Sequence, residues 1–381
     1  MLIAIASSFF RFGQRENEGL SWSDSDYYID MAHVFSGEKE SFNRVYLERK
    51  EFHHYARPLF SYCAAKITSL GLSLRTSFSV LNILAAWIIA VIFYIGIVVN
   101  LPCFQYPWMP PFLFLTGFPQ LNWGYNILTD TFGYGFSIIV IFFMDMLFIY
   151  ASNHEFSHKK KQYILGMLFL FILQSLAFFA REIAWAAVIV AAYFFLKHLI
   201  TNKKVSYFYL ITIITLILAK SFHQIYCHIY QFSPPKLHFF RFFELFNYKY
   251  VLDFFIKSGF AFNIAWPFVF IYFFKFRLNG LKKIPDIFIA WTIAAVLYMG
   301  AAYSHNAFGH GYGYPLRISY ALFPLIFLFT THTLTSFKHK KIIITFFLVL
   351  SLLINITGVL LDPNTPNVTY ENILKKIVIL P

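Results

Sequence analysis

The sequence predicts an all-α polytopic integral membrane protein with about 10–12 transmembrane helices. Three observations predict it. The chain is 59% hydrophobic and only 13% charged, with a mean hydropathy of +0.60, whereas a soluble domain carries roughly 25% charged residues. Several uncharged runs reach the roughly 20 residues needed to cross a bilayer. Lys and Arg collect in short loops between those runs, which is the orientation signal of a multi-pass protein. The net charge of +13 is therefore a topology signal, and no nucleic-acid partner is expected. The three cysteines, Cys63, Cys103 and Cys227, lie far apart, without disulfide or zinc spacing.

The expected organisation is a single transmembrane domain over residues 1–381. Met1–Phe12 reads as a short first helix, lacking a basic n-region and a clear cleavage site. Residues 13–57 form a polar first loop. It holds nine acids, Glu16, Glu18, Asp24, Asp26, Asp30, Glu38, Glu40, Glu48 and Glu51, of the 18 in the chain. Leu59–Leu72 reads as a second span, opened by Pro58 in its first turn. Phe78–Val99 is the next, followed by a Pro-, Trp- and Gly-rich re-entrant or surface segment, Asn100–Asp130. Thr131–Tyr150 spans. Tyr163–Ala180 and Ile183–Leu196 are either two short helices or one kinked helix, parted only by Arg181-Glu182, two charges that are costly to turn to lipid. Val205–Leu218 is apolar. Residues 220–258 mix aromatic and polar groups at the spacing of an interfacial amphipathic helix. Phe260–Phe276, Asp286–Tyr303, Pro315–Thr330 and Ile342–Leu361 complete the spans. They are separated by a basic loop, by the Gly- and His-bearing loop 304–314, and by Lys338–Lys341.

Alternation puts Arg75 and the basic loops near 158, 200, 280 and 340 on one side, the cytoplasmic one by the positive-inside rule. The opposite side receives the acidic loop, Asp130, Arg181-Glu182, residues 220–258 and the 304–314 loop.

The groups able to carry chemistry are thus expected on the extracytoplasmic face. Asp24 and Asp26 lie two residues apart beside Tyr27 and Tyr28. Such a pair suits a carboxylate that takes a proton from an acceptor hydroxyl, while its neighbour holds a divalent cation or orients the acceptor. The same residues equally suit the N-cap and first turn of a helix. Arg57, Arg181 and Arg317 are cations able to grip a phosphate or to pair with an acid at a helix end. His305 and His310, with Tyr312, stand among glycines that allow close backbone approach to a substrate. Two histidines five residues apart with no third ligand do not make a metal site. His53-His54 point apart, and Asn367-Val368-Thr369 matches a glycosylation pattern too common to carry weight.

The order Asp24-Ser25-Asp26-Tyr27, then Ala32, Gly37 and Tyr46, then Tyr55-Ala56-Arg57-Pro58-Leu59 resembles the first extracytoplasmic loop of GT-C superfamily glycosyltransferases. It is most similar to the mannosyltransferase branch. The resemblance is specific over residues 20–60. Beyond them it is architectural: many spans, Asp130 opening a later helix, and Arg317 opening a late one. It implies a polyprenyl- or dolichyl-phosphate sugar as donor, a glycan, lipid or protein as acceptor, and a first-loop aspartate, Asp24 or Asp26, as base. Tyr27, Arg57, Asp130, Arg181, His305, His310 and Arg317 are the expected substrate-binding set. No cofactor beyond the donor and an optional divalent cation is implied. The chain departs from the family in its very short first helix and in having no obvious large soluble C-terminal domain. Rival classes are an O-antigen-type polymerase or ligase and a secondary transporter. The transporter would show an internal repeat, and none is evident. Short loops point to a bacterial inner membrane rather than the endoplasmic reticulum.

Overall fold

The computed structural model describes residues 25–39, 55–123, 130–153, 160–230, 232, 261–276, 284–303 and 320–361. Every regular element among them is helical. Six helices are long and apolar enough to cross a membrane by length and composition: Leu74–Asn100, Thr131–Ala151, Lys161–Ala180, Glu182–Asn202, Tyr207–Ile229 and Lys340–Thr357. The protein is accordingly an integral membrane protein. Such helices satisfy their backbone polar groups internally, as a hydrocarbon environment demands.

The chain forms two compact units, one from Phe12–Ile92 and Tyr125–Lys236, the other from Met1–Arg11, Phe93–Gly124 and Leu237–Pro381. In the first unit, α1 (Ser25–Ser36) packs on α2 (Pro58–Thr68). The first part of α3 (Leu74–Asn100) follows, and then a bundle of α6 (Asp130–Asn153), α7 (Lys160–Ala180), α8 (Trp185–Asn202) and α9 (Tyr207–Ile229).

Ring contacts fix the directions in that bundle. Phe148, late in α6, meets Phe194, late in α8, and Tyr209 at the start of α9. Tyr163, at the start of α7, meets Phe208. These four helix termini share one end, which also carries the exposed Lys161, Lys197, Lys203 and Lys204. At the other end Phe179, closing α7, meets His223 and Tyr226, late in α9. A methyl group built on Gly133, early in α6, would come within 2.5 Å of Arg181 Cβ.

Two expectations are corrected here. Of the two alternatives for the 163–196 stretch, the structure has two helices, each longer than expected, and not one kinked helix. Arg181 is extended (φ −169°, ψ 158°), a 3-10 turn covers Glu182–Ala184, and α7 and α8 reverse as a tight hairpin. Gln174 Nε2 closes the corner by donating to the Ala184 carbonyl at 2.9 Å. The expected span Leu59–Leu72 is α2, whose 11 residues reach only about 16 Å. Its apolar residues serve the protein core: Phe60, Ala64 and Ala65 are buried, and Phe60 packs on Phe78 and Phe132. Thr68 Oγ1, at the far end of α2, lies 3.0 Å from Ser77 Oγ, so α2 crosses α3 within the second turn of α3. Arg75, one turn before Phe78, therefore stands at the end that carries Arg181, not with the lysines.

In the second unit, α4 (Met109–Thr116) and α5 (Phe118–Trp123) lie within the stretch expected as a re-entrant or surface segment, with Pro110 and Pro111 tolerated at the start of α4. They pack with α10 (Ala265–Phe276), α11 (Asp286–Tyr303), α12 (Phe323–Thr335) and α13 (Lys340–Leu361). Phe114, Tyr320, Phe323 and Phe262 form its aromatic centre.

Candidate functional site

The first unit gathers its ionic groups where α7 turns into α8. Arg57 caps α2 without a side-chain cap bond. Its chain instead reaches the α7–α8 corner, where Nε donates to Glu182 Oε1 at 2.5 Å. Nη1 donates to the Tyr28 hydroxyl at 3.2 Å. Both side chains of the ion pair are 9% exposed. Burial acts to lower the pKa of the Arg57 guanidinium, but the Glu182 carboxylate outweighs it, with Tyr28 adding, and the net direction is upward. The pair thus stays ionised, and removal of either partner would leave a buried charge uncompensated.

The α1 helix hangs on this corner. Its buried face presents Tyr28 to Arg57 and its Tyr28 carbonyl to Ser61 Oγ at 2.9 Å. Asp30 is 3% exposed. It accepts from Lys39 Nζ at 2.7 Å and from the Tyr55 hydroxyl at 2.8 Å. Asp26 lies one turn earlier, exposed in the first turn of α1. That position favours a carboxylate by the helix dipole alone. Tyr27 is half-buried and sits edge-on to Tyr55 at 5.7 Å. Tyr55 in turn stacks on Phe232 at 5.4 Å. The loop motif is therefore built on a rigid underside of Tyr28 and Asp30, with Asp26 on the outer surface.

The last turns of α9 complete the cluster. His223 is buried, with Nε2 2.6 Å from the Ala56 carbonyl and Nδ1 2.6 Å from Lys220 Nζ. The Tyr226 hydroxyl donates to the Tyr55 carbonyl at 3.2 Å. Segment 55–57 is thus held by α9 from one side and by the α7–α8 corner from the other.

Of the expected site residues, Asp26, Tyr27, Arg57 and Arg181 belong to this end of the first unit. Arg181 is buried at the corner itself, and Asp130 opens α6 at the same end. Asp24, His305, His310 and Arg317 lie outside the described residues, as do His53-His54 and the 304–314 loop. Of the expected interfacial stretch 220–258, the first ten residues are the end of α9, and most of the rest lies outside the described residues. Sequence reasoning did not single out Asp30, Tyr28, Lys220 or His223. The one available signal was spacing: Leu216, Ala219, His223 and Cys227 continue a buried helical stripe. Among the described residues no group of three or more His, Cys, Asp or Glu is placed to hold a metal ion. Comparison with protein-family models, with curated proteins and with solved structures finds no match for this chain.

Proposed function

We propose that the protein is a membrane glycosyltransferase of the GT-C type. It moves a sugar from a polyprenyl-phosphate donor to an acceptor hydroxyl on the extracytoplasmic face. Asp24 or Asp26 takes the proton of the acceptor, and the acceptor oxygen displaces the lipid phosphate at the anomeric carbon. Arg57 or Arg317 is the cation assigned to the donor's phosphate end.

The observation that carries this reading is the pairing of α1 with α2. The described parts of the loop motif, Ser25-Asp26-Tyr27-Tyr28 and Arg57-Pro58-Leu59, fold against one another through Tyr28, Ser61 and Arg57. They do so beside buried Arg181 and Glu182 rather than in a detached loop. Exposed lysines stand at the opposite end of the bundle, which the positive-inside rule assigns to the cytoplasm. A catalytic carboxylate needs solvent and substrate access, and Asp26 has it. A scaffold has no need of a buried ion pair, which is a costly way to hold helices together.

The test is transfer of radiolabel from a panel of polyprenyl-phosphate sugars by the purified protein, compared with Asp24→Asn and Asp26→Asn. One of the two variants is expected to lose about 100-fold or more in rate, the usual worth of a positioned general base, while its thermal unfolding stays unchanged. Full transfer by both variants would remove the base assignment. Absence of transfer from every donor in the panel would remove the reading.

A further inference from the structure

The α9 helix carries an amine inside a segment long and apolar enough to cross the bilayer. Ionisable groups at such depth are costly and are kept with a partner or for a ligand. A backbone carbonyl only accepts hydrogen bonds, so His223 Nε2 carries the proton that meets Ala56 at 2.6 Å. His223 Nδ1 is then an acceptor, and Lys220 Nζ donates to it at 2.6 Å. One of the three donors of an ammonium is thereby used, and the amine also lies 5.1 Å from the centre of the Phe178 ring. Among the described residues no carboxylate lies within ion-pair distance of Lys220. The Glu182 carboxylate at the same end of the unit is engaged by Arg57.

Position on the helix adds a direction. Leu216, Ala219, His223 and Cys227 are buried, whereas Leu218, Phe222 and Ile225 are more than half exposed. Lys220 is half-buried on the border between these faces. Its stem is packed, and its remaining donors stand beside a surface turned to lipid. A compact ammonium with spare donors complements a phosphate, whose oxygens only accept.

We propose that Lys220, braced by His223, binds the phosphate of a lipid that arrives along the exposed face of α9. The bound phosphate supplies a negative charge that no described residue brings within ion-pair distance of the ammonium. His223 acts as a positioning residue: it ties the amine to Ala56, the residue before Arg57, and so couples the phosphate site to the segment bearing the loop motif. That this lipid is the sugar donor rests on the reading above; the phosphate site itself does not.

The test uses farnesyl phosphate as probe, with farnesol and inorganic phosphate as controls, on the full-length protein in detergent micelles. Binding is read as saturable stabilisation in thermal unfolding. Farnesyl phosphate is expected to bind the wild type and the two controls to leave it unchanged. Lys220→Met is expected to weaken binding by about tenfold or more, the worth of one charge-assisted hydrogen bond, and Lys220→Arg to retain it. Equal affinity in Lys220→Met would overturn the proposal, and inorganic phosphate binding as well as farnesyl phosphate would overturn the lipid assignment. Should Lys220→Met not fold, a photoreactive farnesyl phosphate on the wild type decides. Crosslinks at Phe178 or within 218–225 support the site, and crosslinks confined elsewhere overturn it. Lys220-dependent binding without sugar transfer would leave this site standing and remove the enzyme reading. Transfer with an unchanged KM in Lys220→Met would do the reverse.

Discussion

The two units both bury neutral polar groups but differ in the charge they bury. Among the described residues, all the buried charged side chains, Asp30, Arg57, Asp145 and Arg181, belong to the first unit, as does buried His223. The second unit buries neutral groups: Thr116, Gln120, Thr330, Thr331, Thr333, Ser351 and Asn355. Many of these address backbone carbonyls. Asn355 Nδ2 donates to Thr116 O at 2.9 Å, Thr333 Oγ1 to Phe268 O at 3.0 Å, and Trp291 Nε1 to Ala321 O at 2.8 Å. Neutral bonds of this sort fix helix positions at a small desolvation cost. Buried charges fix them at a large one and are retained where charge is useful. Among the described residues the first unit is thus the one that holds charge in its interior, and the second is tied by neutral bonds.

The largest effect expected to test this contrast is in the first unit. Arg57→Met should destabilise the protein by about 3–5 kcal/mol, because it strands the Glu182 carboxylate. The double variant Arg57→Met/Glu182→Met should recover most of that in thermal unfolding followed by tryptophan fluorescence. A double variant as damaged as the single would show that shape, not charge, holds the corner. In the second unit Asn355→Ala should cost about 1–3 kcal/mol by leaving the Thr116 carbonyl without its donor. It should leave sugar transfer and Lys220-dependent binding unchanged once the protein is folded. A selective loss of transfer in Asn355→Ala would erase the distinction between the units. The smallest effect is expected from Tyr320→Phe, which deletes a 2.6 Å bond to the Phe114 carbonyl while keeping the stacked ring. About 1 kcal/mol is the expected loss.

Long helices were legible because hydropathy alone marks them. The run Thr131–Tyr150 lies within α6, Asp130–Asn153, and Phe78–Val99 within α3. Where polar groups face inward, mean hydropathy ends a helix too early. Val205–Leu218 stops at Lys220, yet α9 runs on to Ile229, because His223 and Cys227 keep to its buried side. Leu59–Leu72 misled in the opposite sense, since an apolar segment buried in protein reads like one bathed in lipid. The ionic partners were not legible at all. The adjacent charges Arg181-Glu182 named no partner in the sequence, and Glu182 belongs to Arg57, 125 residues away. The buried acid of the loop is Asp30, satisfied by Tyr55 across 25 residues. Nothing in local spacing encodes such contacts; they exist only after α1 and α2 have packed.

The Arg57–Glu182 pair also sets an order of events during biosynthesis. Ribosomes add about 5–20 residues per second, so Arg57 waits roughly 6–25 s for its partner to be made. Through that interval α1 and α2 have no carboxylate at position 182 to dock against. The bond that fastens Arg57 to the α7–α8 corner can therefore form only after residue 182 has been made, well after α1 and α2.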